Sequence, residues 1–80
     1  MSTLEIKLEP FAVDVSFTAD DLTVVLADGR RVSAPIIWFP RLASATAQQR
    51  ANWRLIGRGV GIRWPDIDED ISVESLLAAQ

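Results

Sequence analysis

The stretch Leu22-Thr23-Val24-Val25-Leu26-Ala27-Asp28-Gly29-Arg30-Arg31-Val32-Ser33-Ala34 decides the fold, because two β-rich runs flank a strong turn signal. A two-residue Asp28-Gly29 loop would pair Val25 with Val32 and turn Val32 away from the apolar residues of the first run. A three-residue loop, with its glycine in the left-handed region, pairs Val24 with Val32 instead. We prefer this second register, since it gathers the apolar residues on one face. That face carries Val13, Val15, Phe17, Leu22, Val24, Leu26, Val32 and Ala34.

Upstream of this hairpin, apolar and polar residues alternate in two further segments. The alternation from Val13 to Phe17 predicts a strand that pairs with the hairpin. The alternation from Leu4 to Leu8, between charged residues, predicts a half-buried strand that Pro10 ends. The first half of the chain is therefore predicted to be a β-meander.

Downstream of the hairpin the spacing of apolar residues becomes helical. Leu42 belongs to a short apolar segment in which Pro40 is tolerated only within a first helical turn. Thr46 and Gln49 form a capping box, which predicts a helix over residues 46–56. The middle of the chain is therefore predicted to be helical.

The end of the chain adds one strand and one helix to this picture. Residues 62–64 predict a short late strand that Pro65 ends, and Ser72 caps a final helix. Together the elements predict a single domain over residues 1–80, with residues 1–10 as an N-terminal strand or arm. The fold class is α+β, a small antiparallel sheet with two to three helices covering one face. That sheet is a hairpin or meander of three to four strands plus the short late strand.

The composition narrows the chemistry. The chain has 80 residues, three tryptophans that we expect in the core, and neither cysteine nor histidine. It therefore has no disulfide, no thiolate or imidazole metal ligand and no Ser-His or Cys-His catalytic pair. We expect a protein that is not an enzyme, with no catalytic residue, metal, cofactor or small-molecule substrate. No apolar run approaches the roughly 20 residues of a membrane span, so we expect a cytoplasmic protein without membrane contact.

Charge is segregated along the chain, whose net charge is −3. Seven arginines and no acid lie from residue 30 to residue 63, whereas five acids and no base lie from residue 66 to residue 74. The predicted helix leaves Arg50 and Arg54 on its most exposed sector, and Arg58 follows it. We therefore predict a partner-binding surface made of these three arginines.

Three explanations of these arginines remain open. They can form intramolecular ion pairs with the acids at residues 66–70, bind an acidic protein partner or bind nucleic acid. The nucleic-acid alternative is a transcriptional regulator that uses the arginine-bearing helix 46–56. The net negative charge and the apolar content of that helix count against it. We therefore expect a protein partner, either another small protein or a second copy of the chain as a homodimer.

The acids Asp66-x-Asp68-x-Asp70 have the spacing that begins a calcium-binding loop. Ile71 and Leu77 stand where such a loop needs a glycine and a bidentate acid, so the motif is incomplete. The alternative is an acidic segment that leads into the final helix. Asp70 and Glu74 would then lie near the positive end of the helix dipole.

The ordered motifs of the chain resemble domain-of-unknown-function family 2442, a family of small bacterial proteins. The motifs are Asp28-Gly29-Arg30, Trp38-Phe39-Pro40-Arg41-Leu42, Arg50-Ala51-Asn52-Trp53 and residues 62–72. With this resemblance, residues 11–80 form the family-like domain. The resemblance implies an α+β domain and a role as the antitoxin-like or regulatory partner of another small bacterial protein. The expected function is a non-enzymatic protein-interaction module, with the nucleic-acid-binding regulator as the alternative.

Overall fold

The computed structural model describes residues 5–80, which form an α+β fold. The fold class predicted from the sequence is confirmed. The elements in chain order are β1 (Ala12–Phe17), β2 (Asp21–Leu26), β3 (Arg31–Pro35), α1 (Pro40–Ala43), α2 (Ala47–Ala51), β4 (Arg54–Ile56), β5 (Gly61–Trp64), β6 (Glu69–Ser72) and α3 (Val73–Ala78). The described strands form two antiparallel three-stranded sheets, in the orders β1-β2-β3 and β4-β5-β6. The sequence predicted one sheet and a late strand, whereas the late strand is the centre of a second sheet.

The hairpin of β2 and β3 has the predicted register. Val24 pairs with Val32, and Leu22 pairs with Ala34. Gly29 has a φ of 94°, which glycine adopts without the steric cost that a Cβ would add. Val24 and Val32 are both buried, so the three-residue loop is confirmed.

The start of β1 departs from the predicted alternation. A register shift lies between Ala12, which pairs with Leu26, and Asp14, which pairs with Val25. The extra residue of such a bulge interrupts the regular alternation of inward and outward side chains. Ala12 is therefore buried, whereas Val13 is 52% exposed, and the prediction that Val13 belongs to the buried face is wrong.

The predicted helix over residues 46–56 is shorter than expected. Its capping box is confirmed, because Thr46 Oγ1 accepts a hydrogen bond from the Gln49 backbone and the Gln49 side chain accepts one from the Thr46 backbone. However, α2 ends at Ala51, and Asn52 leaves the helical region with a ψ of 73°. The following residues form β4, which pairs with β5. The helix boundary is therefore wrong, because pairing with a distant strand decides the conformation of residues 54–56.

The acidic segment before α3 is also a strand. In β6, Ile71 pairs with Ile62 and Asp70 pairs with Arg63. Two parts of the prediction for the final helix are confirmed: Ser72 caps α3 by accepting a hydrogen bond from the Ser75 backbone, and Glu74 lies in the first turn of the helix. Asp70 lies on the strand, where it faces an arginine across the sheet.

One hydrophobic core joins the inner faces of both sheets with α1 and α3. Trp64 is fully buried in it and meets Phe17 edge to face, with the ring centroids 6.2 Å apart. Trp53 packs partly against the core, whereas Trp38 is 52% exposed. The prediction that all three tryptophans fill the core is therefore wrong for Trp38. The buried residues are Ala12, Val15, Leu22, Val24, Leu26, Val32, Ala34, Ile36, Leu42, Ile62, Trp64, Ile71, Val73 and Leu76.

The described part of the N-terminal arm, residues 5–10, lies outside both sheets. The strand predicted from Leu4 to Leu8 is therefore wrong where it can be compared, and Leu4 lies outside the described residues. The arm is attached at its end, because the Glu9 backbone N–H donates to a carboxylate oxygen of Asp28 at 3.0 Å. That carboxylate also accepts the single Nε–H of Arg30, which its two oxygens share, and one hydrogen bond from Arg30 Nη2.

These bonds stabilise the charged form of Asp28. The pKa of Asp28 is lowered from 3.8 to about 2, first by the hydrogen bonds from the Arg30 side chain and then by backbone N–H donors. Its side chain is only 3% exposed. The turn of the first sheet therefore depends on an ionised carboxylate.

Candidate interaction surface

Arg50 is part of the folded framework rather than of an exposed sector. It is half-buried on α2, where its Nε donates to the Leu42 carbonyl at 2.9 Å and its Nη2 donates to the Ala43 carbonyl at 3.2 Å. Its guanidinium lies 5.8 Å from the centroid of the Phe17 ring. Its own carbonyl accepts a hydrogen bond from Trp64 Nε1 at 3.0 Å. Arg50 therefore connects α1, β1 and β5, and the prediction that it is largely exposed is wrong.

Arg54 and Arg58 lie elsewhere, on the hairpin of β4 and β5. Both are exposed, and neither forms a salt bridge among residues 5–80. Exposed apolar residues accompany them, namely Leu55, Ile56 and Val60. The structure therefore separates the three arginines predicted as one surface, since α2 ends before Arg54. We call the surface formed by these five residues, at positions 54–56, 58 and 60, the β4 edge.

The backbone of β4 is open on one side. Within the described part of the chain β4 pairs only with β5, so it is an edge strand. An edge strand presents unpaired N–H and C=O groups to which another strand can bind. Natural proteins usually blunt such edges with charges, bulges or a covering element. Here the charges are those of Arg54 and Arg58. They repel a basic strand but attract an acidic one, so the edge stays open to an acidic strand.

The turn between β4 and β5 is held in place by β1. The Ala12 backbone N–H donates to the Gly59 carbonyl at 2.7 Å. Gly59 has a φ of 103°, and a Cβ at this position would collide with the Ala12 backbone. The β4 edge is therefore presented on a fixed turn rather than on a free loop.

The outer face of the second sheet carries a row of charges. Arg54, Arg63 and Asp70 are register partners on three adjacent strands, so they lie on the same face. Arg63 donates to Asp70 at 2.8 Å and to Asp68 at 3.0 Å. The pKa of Arg63 is raised by these hydrogen bonds, first by the one to Asp70. Intramolecular pairing with the acids at 66–70 is therefore made by Arg63, and it leaves Arg54 at the end of the row without an acid.

The remaining acids of this segment are also engaged. Arg41 donates a hydrogen bond to the Asp68 carbonyl, and Asn52 Nδ2 donates to the Asp66 carboxylate at 2.9 Å. Among residues 5–80, no three carboxylates come together in an arrangement that could hold a metal ion. The segment therefore serves to connect α1, α2 and β5 through polar contacts.

A groove of about 480 Å³ adjoins the β4 edge at Val60. Phe11, which follows the arm, and Val73, Glu74 and Leu77 of α3 line it. A second groove, of about 430 Å³, lies between β1 and α2, and Phe17 and Trp53 are among the residues that line it. Sequence reasoning missed the apolar part of this surface, because a helix over 46–56 turns Leu55 inward. The signal was present, since that helix had apolar residues on two opposite sides.

No helix among residues 5–80 is long and apolar enough to cross a membrane.

Comparison with known proteins decides the family. The family model for proteins of unknown function named DUF2442 matches residues 12–80. The chain belongs to this family. The DUF2442 resemblance noted from the sequence motifs is thus confirmed, and the match includes every element from β1 to α3. No curated protein matches the chain.

The DUF2442 chain is also similar to a solved crystal structure, a protein of unknown function from Rhodospirillum rubrum. The TM-score is 0.74 with 24% sequence identity, and the similarity covers 86% of each chain. This similarity concerns the fold alone, so the function of the DUF2442 chain has to be argued from its own surface.

Proposed function

We propose that the chain is a non-enzymatic, cytoplasmic protein-interaction module. It binds an extended, acidic and apolar segment of a protein partner along the β4 edge. In the cell it acts as the antitoxin-like or regulatory partner of another small bacterial protein. One observation carries the proposal: Arg54 and Arg58, which form no ion pair among residues 5–80, lie beside exposed Leu55, Ile56 and Val60 on the edge strand β4 and the turn that follows it.

The physics of strand addition supports this choice. An extended peptide that joins a sheet edge gains main-chain hydrogen bonds, while its alternate side chains contribute specificity. On β4, Leu55 shares the core-side face with Ile62, whereas Arg54 shares the outer face with Arg63. A matching peptide therefore has apolar residues on one face and acidic residues on the other. Arginine is also enriched among the residues that dominate binding energies.

The nucleic-acid alternative has lost its structural basis. It depended on a recognition helix over residues 46–56, but α2 has five residues and Arg54 is not on it. The guanidinium of Arg50 is engaged by backbone carbonyls. A protein partner is therefore the better-supported function.

Capture of the partner from the native host tests the proposal. The variant R54E/R58E reverses the charge of the β4 edge, and R31E makes a matched change at an exposed arginine of β3. Each tagged variant is expressed in the host, and the proteins that copurify are identified and quantified by mass spectrometry. We expect one small protein to copurify with the parent chain and with R31E, and to be lost with R54E/R58E.

The partner is then produced recombinantly, and its binding to the purified variants is measured directly. We expect R54E/R58E to weaken binding by at least about tenfold, with R31E unchanged. Equal binding by R54E/R58E and R31E would overturn the proposal, because the β4 edge would then make no contact with the partner.

A further inference from the structure

We propose that the N-terminal arm of a second copy binds the β4 edge, so that the chain forms a homodimer by reciprocal exchange of residues 5–9. This inference rests on the proposed function, because it names an occupant of the same edge. Three observations support it: the side-chain alternation of the arm, its charge complementarity to the β4 edge and the direction of β1.

The arm has the chemistry of a missing strand. Ile6 and Leu8 are 62% and 61% exposed, so the arm leaves its two apolar side chains in water within a single copy. Lys7 and Glu9, which alternate with these two apolar residues, lie on one side of the arm, since their charged groups are 3.8 Å apart. The arm is therefore apolar on one face and charged on the other, which suits the edge of a sheet with one buried face.

One antiparallel register matches a residue on each face of β4, Leu55 on the core side and Arg54 on the outer side. With Leu8 opposite Leu55, the apolar arm face extends the core-side row that Leu55 forms with Ile62. The same register places Glu9 opposite Arg54, which completes the charged row on the outer face with an acid. A slip of one residue would place Leu8 opposite Arg54 and lose both matches.

The arm has a second acid beyond this register. β4 ends at Ile56 and the turn that follows it carries Arg58, so Glu5 extends past the paired residues toward that arginine. Opposite charges on facing positions stabilise strand pairing, whereas like charges destabilise it.

The arm cannot reach the β4 edge of its own copy. Ala12 is hydrogen-bonded to Gly59 beyond the end of β4, whereas Phe17, at the other end of β1, lines a groove with Trp53 just before β4 begins. β1 therefore runs antiparallel to β4. Residues that precede Ala12 continue past the turn and away from β4, so an arm that pairs with β4 has to come from another copy. Exchange between two copies gives each the same contact, which closes the assembly as a twofold dimer.

Reciprocal charge reversal tests the arm exchange. The variant E5R/E9R reverses the charge of the two acids of the arm, and R54E/R58E reverses the charge of the β4 edge. R31E is the control. The masses of all purified chains are measured by size-exclusion chromatography with light scattering over a concentration series. We expect the parent chain and R31E to dimerise, and each reversed variant to have a dimer dissociation constant at least about tenfold higher.

Mixing the two reversed variants is the decisive measurement. In a mixed dimer every reversed arm meets a reversed edge, and every unchanged edge meets an unchanged arm. We therefore expect equimolar E5R/E9R and R54E/R58E to form a dimer that neither forms alone at the same concentration. A monomeric parent chain, or a parent dimer that both variants retain, would overturn the arm exchange.

The outcomes separate this inference from the proposed function. If the host partner is lost with R54E/R58E and kept with E5R/E9R while the parent chain is monomeric, the edge binds another protein and the arm exchange is wrong. If the partner is unaffected by R54E/R58E, the proposed function is wrong, whatever the mass of the purified chain.

Discussion

The two sheets of this fold contrast in how their strands are specified. The first sheet, β1-β2-β3, has strands of five and six residues, and its hairpin register follows from local alternation and one glycine turn. The second sheet, β4-β5-β6, has strands of three and four residues that pair over a longer turn. Its strands depend on tertiary contacts with β1, α1 and α2 rather than on their own pattern. The sheet that the sequence specifies less strongly is the one that carries the β4 edge.

The largest expected effect on stability comes from comparing Trp64, which is buried, with Trp38, which is exposed. Trp64 is fully buried at the centre of the contacts that join the two sheets, so Trp64→Ala should lower the free energy of unfolding by about 3–5 kcal/mol. Such a loss is a large fraction of the stability of a domain this small. Trp38→Ala is the matched control and should change stability by less than about 1 kcal/mol, because Trp38 is exposed. Urea titration followed by circular dichroism measures both, and equal losses would show that the second sheet does not depend on Trp64.

Glycine-to-alanine substitutions compare the two turns. Gly59→Ala should cost about 2–4 kcal/mol, because it adds a collision with the Ala12 backbone to the strain of a positive φ. Gly29→Ala has the same kind of φ but open space around the new methyl group, so it should cost only about 1 kcal/mol. Thermal unfolding of both variants gives the comparison. A smaller loss for Gly59→Ala than for Gly29→Ala would contradict the attachment of the β4–β5 turn to β1.

The two arginines first predicted to act together should behave differently. Arg50→Ala should cost about 1–2 kcal/mol, since it removes hydrogen bonds to two carbonyls and the contact with the Phe17 ring. Arg54→Ala should stay within about 0.5 kcal/mol, because Arg54 is exposed and unpaired among residues 5–80. Urea midpoints of the two variants check this. Equal and negligible effects would restore the view that both arginines serve only a partner surface.

A further expected effect concerns acid and the turn between β2 and β3. The pKa of Asp28 is about 2 in the folded chain and 3.8 is its ordinary value, so unfolding takes up a proton between these values. Its contribution to stability is therefore complete above pH 3.8 and is lost as the pH falls toward 2. Asp28→Asn cannot ionise, so the stability gap between the parent chain and this variant should close across that range. Urea titrations from pH 5 to pH 2 measure the gap, and a gap that widens with acid would refute the assignment.

The sequence predicts the first sheet better than the second, and the reason is physical. The register of β2 and β3, the capping box at Thr46 and the cap at Ser72 were all predictable, because each depends on residues within a few positions of one another. β4 and β6 were not, because their pairing partners lie on β5 and their short length leaves no periodic signal. The bulge at Val13 was missed since nothing in the alternation marks an extra residue.

The candidate site was only partly predictable for the same reason. Arg54 was predicted on a helix face and Arg58 just after that helix, whereas Arg54 lies on the strand β4 and Arg58 in the turn that follows it. Arg50 was chosen on the same argument, but its neighbours Leu42 and Phe17 come from other elements, so its engagement requires the folded chain. The exposure of Leu55 follows from the same tertiary pairing.

The most direct test of the central claim compares the edges of the two sheets by amide hydrogen exchange. Exchange is followed by NMR in a dilute solution of the free protein and in a solution of the protein saturated with its partner. The partner is either the host protein or a second copy of the chain. On saturation with the partner we expect slower amide exchange within Arg54–Ile56 and an unchanged exchange rate within Arg31–Pro35 of the first sheet. In R54E/R58E we expect addition of the partner to leave the exchange rates of both strands unchanged. Protection of the first sheet's edge with β4 left unchanged would contradict the central claim.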